Sequence, residues 1–159
     1  MALLNDNSYQ KGGWVLHMLR QEVGDSAFFG GIRDYWAAHK HATAVSDDLR
    51  AAVEKRAGRD LRWFFDQWLR RPGVADVTTS WRYDAAKHEL HVVVEQGGRV
   101  APYRLKLPVQ VTDAAGATRT QVLEIGAQVR SERVIPLATA PSAVVVDPGV
   151  TVLGAFSAK

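Results

Sequence analysis

The sequence predicts an α+β protein arranged by segments: about four helices over residues 1–72, then a small antiparallel β-sandwich over residues 73–159. Two observations carry this. Apolar residues recur at three- and four-residue steps up to Pro72 and at steps of two beyond Gly73, the periods of a helix with one buried face and of a half-buried strand. The change falls at Pro72-Gly73, a pair that stops a helix and opens a turn. A chain of 159 residues, 47% of them apolar, can build one core or two small ones, since domains run to about 100–150 residues. The two periods select two units.

The first helix is read from Tyr9 to Gly24. Trp14, Val15, Met18, Leu19 and Val23 share one face, and Gly24 is the C-terminal stop. Asp25 or Ser26 is expected to cap the second helix, which runs to His39 with Phe28, Phe29, Ile32, Tyr35 and Trp36 at helical spacing. Gly30 and Gly31 lower its helix propensity and imply close packing. In the third, Ser46 is the expected N-cap, Asp47 and Asp48 face the positive end of the dipole, and Lys55, Arg56 and Gly58 mark the far end. The fourth, capped by Asp60, sets Leu61, Phe64, Phe65, Trp68 and Leu69 on one face and stops before Pro72.

Beyond Gly73, Val77, Thr79, Trp81 and Tyr83 alternate with polar residues and are expected to point inward. A turn at Asp84–Lys87 leads to Leu90, Val92 and Val94, and the cleanest alternation is Tyr103, Leu105, Leu107, Val109 and Val111. After a turn at Asp113–Ala117, strands are expected at 118–125, 130–137 and 143–147. Six short antiparallel strands with no helix between them make a sandwich.

Composition closes several function classes. Twenty Lys/Arg against seventeen Asp/Glu give a net charge of +3, spread evenly over both segments, so no basic arm or stripe selects nucleic acid. The absence of cysteine removes disulfides, thiolate zinc sites and thiol nucleophiles. No run of eighteen apolar residues occurs, so no membrane span is predicted.

Three stretches carry a family resemblance: Tyr9-Gln10-Lys11-Gly12 opening a helix that runs into Leu19-Arg20; Gly58-Arg59-Asp60-Leu61-Arg62-Trp63-Phe64-Phe65-Asp66-Gln67-Trp68-Leu69; and Pro72-Gly73 leading into strands. In order and spacing these resemble the zinc aminopeptidases of the membrane alanyl and puromycin-sensitive family. Residues 1–72 then correspond to the C-terminal helical part of a thermolysin-like catalytic domain. Residues 73–159, ending near Val144-Val145-Val146-Asp147-Pro148, correspond to the small sandwich that follows it.

The resemblance implies a parent enzyme that removes N-terminal residues from peptides with zinc held by H-E-x-x-H and a further Glu. Neither H-E-x-x-H nor the G-x-M-x-N segment that recognises the substrate's amino end occurs here. The chain is therefore expected to be the C-terminal fragment of such an enzyme, binding no metal itself and inactive alone. Its partners are the missing N-terminal catalytic portion and, through it, peptide substrates; apolar surface left bare invites self-association. Tyr9 matches the tyrosine of the family's Tyr-x-Lys-Gly motif, whose phenol donates a hydrogen bond to the oxyanion. Lys11 and Gly12 are assigned structure, Lys11 along the surface and Gly12 admitting close packing. The alternative is a non-catalytic relative serving as a protein-interaction scaffold. A third reading makes the sandwich a binding module, which inward-facing Trp81, Tyr83 and Tyr103 speak against.

Other signals carry less. His88-Glu89-Leu90-His91 looks like a shortened zinc motif, but residues three apart on a strand face opposite sides of the sheet, so a solvated strand end is expected. His39 and His41 sit at a helix C-terminus, where the dipole favours them, and His17 is read as packed or partly exposed. Trp63, Phe64, Phe65 and Trp68, at helical spacing, are read as core rather than a stacking platform.

Overall fold

A computed structural model describes residues 6–98 and 100–159, with side chains from residue 9. The chain divides into two compact units, one ending at Pro72 and one running from Gly73 to Lys159.

The first unit contains α1 (Asp6–Val23), α2 (Asp25–His39), α3 (Ser46–Ala57), the single-turn α4 (Arg62–Phe65) and a π-helical turn at Asp66–Arg70. Gly24 separates α1 from α2 as expected: it has φ 82°, and its N–H donates to the Arg20 carbonyl at 2.8 Å. Only glycine takes that conformation without strain. The expected N-caps differ. Asp25 is the first residue of α2, and both its oxygens are taken by Arg20 at 2.8 Å, so the cap position falls to Gly24, which has no side chain. Ser46 likewise lies inside α3, and the Asp48 carboxylate accepts the N–H of Val45 at 2.9 Å. That bond is the reach-back half of a capping box: it serves the N–H of Val45, which holds the N-cap position expected of Ser46.

Close approach of α2 to α3 organises the unit. A Cβ placed on Gly31 would lie 2.7 Å from Val53 Cγ2 and 2.8 Å from Val53 Cα, and one on Gly30 would lie 3.2 Å from Arg56 Cδ. The paired glycines therefore admit α3 against the backbone of α2, the packing their cost in propensity implied. Beside the contact, Arg56 grips Asp34 through two hydrogen bonds of 2.6 and 2.7 Å. Val15, Met18, Leu19, Phe28, Val53, Leu61, Phe64, Phe65 and Trp68 are buried, each large side chain contributing about 1.5–3 kcal/mol.

The N-cap of the last helix is Leu61, with no side-chain cap bond, and not the expected Asp60; Asp60 stands one residue earlier, its Oδ1 accepting the N–H of Arg62 at 2.6 Å, while Glu54 takes the N–H of Leu61 at 2.8 Å. After one turn the helix widens: Arg71 donates to the Asp66 carbonyl at 3.1 Å, five residues back, the π pattern. The wider turn carries Leu69 off the buried face, and it is 39% exposed, contrary to the helical spacing. Two ion pairs brace this end, Arg70 with Asp66 and Arg70 with Asp47 at 2.7 Å.

The second unit contains β1 (Ala75–Asp84), β2 (Glu89–Gln96), β3 (Leu105–Thr112), β4 (Thr118–Ile125), β5 (Arg130–Pro136), β6 (Ala143–Val146) and β7 (Gly154–Ala158). They form a four-stranded sheet ordered β5-β2-β1-β7 and a three-stranded sheet ordered β4-β3-β6. Every pairing is antiparallel except β1 with β7, which is parallel. Sequence reading missed β7 because Gly-Ala-Phe-Ser-Ala has almost no apolar alternation. Its Gly154 lies where a Cβ would meet the Ala75 carbonyl at 2.8 Å.

Val77, Leu90, Val92, Val94, Leu107 and Val109 are fully buried between the sheets, and Tyr103 joins them. Gln96 is buried with them and clamps Tyr103 from both sides, donating to its carbonyl at 2.9 Å and accepting its N–H at 2.8 Å. A buried amide is tolerable on those terms.

Two aromatic and histidine expectations are corrected here. Trp81 is 44% exposed: it borders an open groove of about 290 Å³ with Val92, Val144 and Phe156. His91 is no solvated strand end but is 8% exposed, with Nδ1 2.7 Å from Glu132 Oε1. That hydrogen bond, more than the neighbouring Arg82, holds the Glu132 carboxyl below its ordinary value. His88 stands apart at φ 56° in the turn before β2, its Nδ1 3.0 Å from the Ala138 carbonyl.

Gly31→Ala is expected to destabilise the helical unit by about 1–3 kcal/mol through overpacking against Val53, whereas Gly13→Ala, with open space around the new methyl, stabilises it by about 0.5–1 kcal/mol. Denaturant unfolding followed by helical circular dichroism checks both signs. The carboxyls of Asp34, hydrogen-bonded to Arg56, and Asp47, hydrogen-bonded to Arg50 and then Arg70, are held below their ordinary values. Depressed carboxyls stabilise the fold above the unfolded pKa and cease to as pH falls through the folded one. Melting temperature should therefore fall as pH drops below about 4, with a smaller fall in high salt because these pairs are exposed.

Candidate functional site

Tyr9 is the fourth residue of α1 and is 67% exposed. Helical spacing carries Tyr9, Gly13, Leu16 and Arg20 along one side of α1. Among the described residues that side is bare: Leu16 is exposed, and a Cβ on Gly12 or Gly13 would meet nothing within 4 Å. The close packing expected at Gly12 is thus not seen among the described residues. At the far end Arg20 lies over the Phe29 ring, 5.1 Å from its centroid, and pairs with Asp25. Arg20 is raised and Asp25 lowered from their ordinary values, in each case first by their mutual hydrogen bond.

Lys11 was expected along the surface and is instead half-buried, its Nζ 3.5 Å from the Arg71 carbonyl at the end of the π-helical turn. The tie joins residues sixty positions apart. No local pattern announces such a contact, and an i→i+5 turn has no sequence signature either, so both escaped sequence reading.

The side of α1 near Tyr9 offers a phenolic O–H donor. It can stabilise negative charge developing on an oxygen, but it cannot by itself generate a nucleophile. Among the described residues no three His, Cys, Asp or Glu side chains lie close enough to hold a metal ion, so zinc does not fit on these residues. His17 and His41 are exposed, and His39 stacks beside Tyr35 with ring centroids 5.3 Å apart. Of the aromatic run, Phe64, Phe65 and Trp68 are buried as core. No helix among the described residues is long and apolar enough to cross a membrane.

Comparison with known proteins bears on this surface. Residues 2–68 match the peptidase family M1 domain. Aminopeptidase N of Lactococcus lactis subsp. lactis is 40% identical over 65 residues, 41% of this chain and 8% of that protein. A probable aminopeptidase 2 of Sulfurisphaera tokodaii is 28% identical over 140 residues, 83% of this chain and 18% of that protein. The crystal structure of Legionella pneumophila aminopeptidase A in complex with aspartic acid matches over 99% of this chain and 18% of its own, with a TM-score of 0.86 at 14% sequence identity. That last likeness concerns the fold. The chain spans less than a fifth of each of these proteins.

Proposed function

With the helical unit a relative of the peptidase family M1 domain, we propose that this chain supplies the oxyanion-stabilising tyrosine of a zinc aminopeptidase. Tyr9 is that residue. As water adds to the scissile carbonyl of an N-terminal peptide bond, the carbonyl oxygen gains negative charge. The Tyr9 phenol donates a hydrogen bond to it that is stronger in the transition state than in the bound substrate. The single observation that carries the reading is the Tyr9 phenol standing exposed on a side of α1 that is bare among the described residues, within the Tyr-x-Lys-Gly motif of a segment that matches the family domain.

In this reading the metal ligands, the general base and the amino-end anchor reside in a thermolysin-like portion outside these residues. Zinc would there polarise the carbonyl and activate the water. That portion, covering the side of α1 that bears Tyr9 and Leu16, is the partner of the helical unit. Residues to Pro72 complete the catalytic domain, and the sandwich follows it. The chain alone hydrolyses no peptide, because one donor worth roughly 3–4 kcal/mol does not replace the groups that create and aim the nucleophile. Apolar surface such as Leu16, Phe29 and Trp36 would favour self-association when left uncovered.

Aminopeptidase activity on aminoacyl-anilide substrates tests the reading in the zinc-loaded enzyme carrying this chain, in its Tyr9→Phe variant and in residues 1–159 alone. The expected result is a 10²- to 10³-fold lower kcat for the Phe variant at unchanged zinc content, and no turnover by residues 1–159. An enzyme that loads zinc yet has no activity would remove the catalytic reading and leave an interaction scaffold in its place.

A further inference from the structure

We infer that Lys11 positions Tyr9, by fastening the first turns of α1 to the carbonyl end of the π-helical turn. The inference rests on Tyr9 being the oxyanion donor and adds what holds that donor in place. On a helix, positions two apart point about 200° apart, so Lys11 leaves α1 on the side away from Tyr9. Their surroundings agree: Tyr9 is exposed, and Lys11 is half-buried with Nζ 3.5 Å from the Arg71 carbonyl.

Three features make this tie matter. The buried apolar residues of α1 begin at Val15, so residues 9–13 have no apolar anchor among the described residues. Gly12 and Gly13 follow immediately, and glycine weakens a helix interior. The helix is therefore soft where a donor has to be held. At the other end of the tie, Arg71 leaves the π-helical turn: its N–H closes on the Asp66 carbonyl at 3.1 Å, and its own φ and ψ, −87° and 139°, are extended. Its carbonyl thus lies just past the helical run, beside the run's last carbonyls, whose partial negative charge attracts an ammonium. A contact of 3.5 Å is long for a hydrogen bond, and the attraction of a cation to a helix C-terminus reinforces it. Lys11 touches no reacting atom and acts through Tyr9.

A double-mutant cycle in the zinc-loaded enzyme carrying this chain separates positioning from general structure. The variants are Tyr9→Phe, Lys11→Met, both together, and Lys11→Arg. Lys11→Met should lower kcat about 10- to 100-fold, the scale of a misplaced catalytic group, with KM unchanged, and Lys11→Arg should recover most of it. In the Tyr9→Phe background Lys11→Met should cost nothing further. Hydrogen exchange at the amides of residues 9–13 supplies a readout apart from activity, and should quicken about tenfold in Lys11→Met, with exchange in α2 and α3 unchanged. Full activity of Lys11→Met, unchanged exchange, or an undiminished loss in the Tyr9→Phe background would each overturn the inference while leaving Tyr9 as donor. A harmless Tyr9→Phe would remove the donor reading itself, and the positioning role with it.

Discussion

The helical unit depends on the backbone contact of α2 with α3 at Gly31. Val53 sits where any Cβ on residue 31 would have to be, so the crossing is fixed by an atom that is absent. From that contact the rest follows by short connections. Gly58 closes α3 at φ 67°, Asp60 leads into α4, and the buried Leu61, Phe64, Phe65 and Trp68 follow within eight residues. Ion pairs then bind the pieces: Arg59 of the α3–α4 connection with Glu22 of α1 at 2.9 Å, and Arg70 with Asp47 at 2.7 Å. The exposed Arg70–Asp47 pair adds little energy by itself, and in the other pair only Arg59 is open to solvent. Their value lies in fixing where each helix ends.

Much of this was legible in the sequence because it rests on period and punctuation. The change from helical to alternating spacing at Pro72-Gly73 marks the division between the two units, and strands at Thr118–Ile125 and Ala143–Val146 lie where alternation put them. Departures arise where long-range contacts outweigh local preference. Ser46 is a sound N-cap by type, yet the cap position falls one residue earlier, at Val45, whose N–H Asp48 takes. Leu69 fits an α-helical face, but the helix there is π. Trp81 obeys the alternation of β1 and is still half-open, because it borders a groove that no side chain fills. His91 illustrates the reverse, an outward position buried by its neighbours Glu132 and Arg82 across the sheet.

The candidate site was legible in part. Tyr9 stood out through its motif, and its exposure is compatible with a donor awaiting a substrate oxygen. Lys11 and Gly12 were legible only as motif members. Lys11 acquires meaning from Arg71, sixty residues away, while Gly12 has nothing within 4 Å of an added Cβ among the described residues. A lone phenol can sharpen catalysis begun by other groups but cannot begin it, and that is the role proposed for Tyr9 in a segment that matches the peptidase family M1 domain over residues 2–68.

The most direct measurement is a crystal structure of the zinc-loaded enzyme carrying this chain with a phosphinic peptide analogue, whose tetrahedral oxygen stands in for the oxyanion. The account predicts the Tyr9 Oη about 2.7–3.1 Å from that oxygen, in donor geometry. A Tyr9 hydroxyl beyond about 4 Å, with that oxygen bonded to other groups, lies outside hydrogen-bond reach and would contradict it.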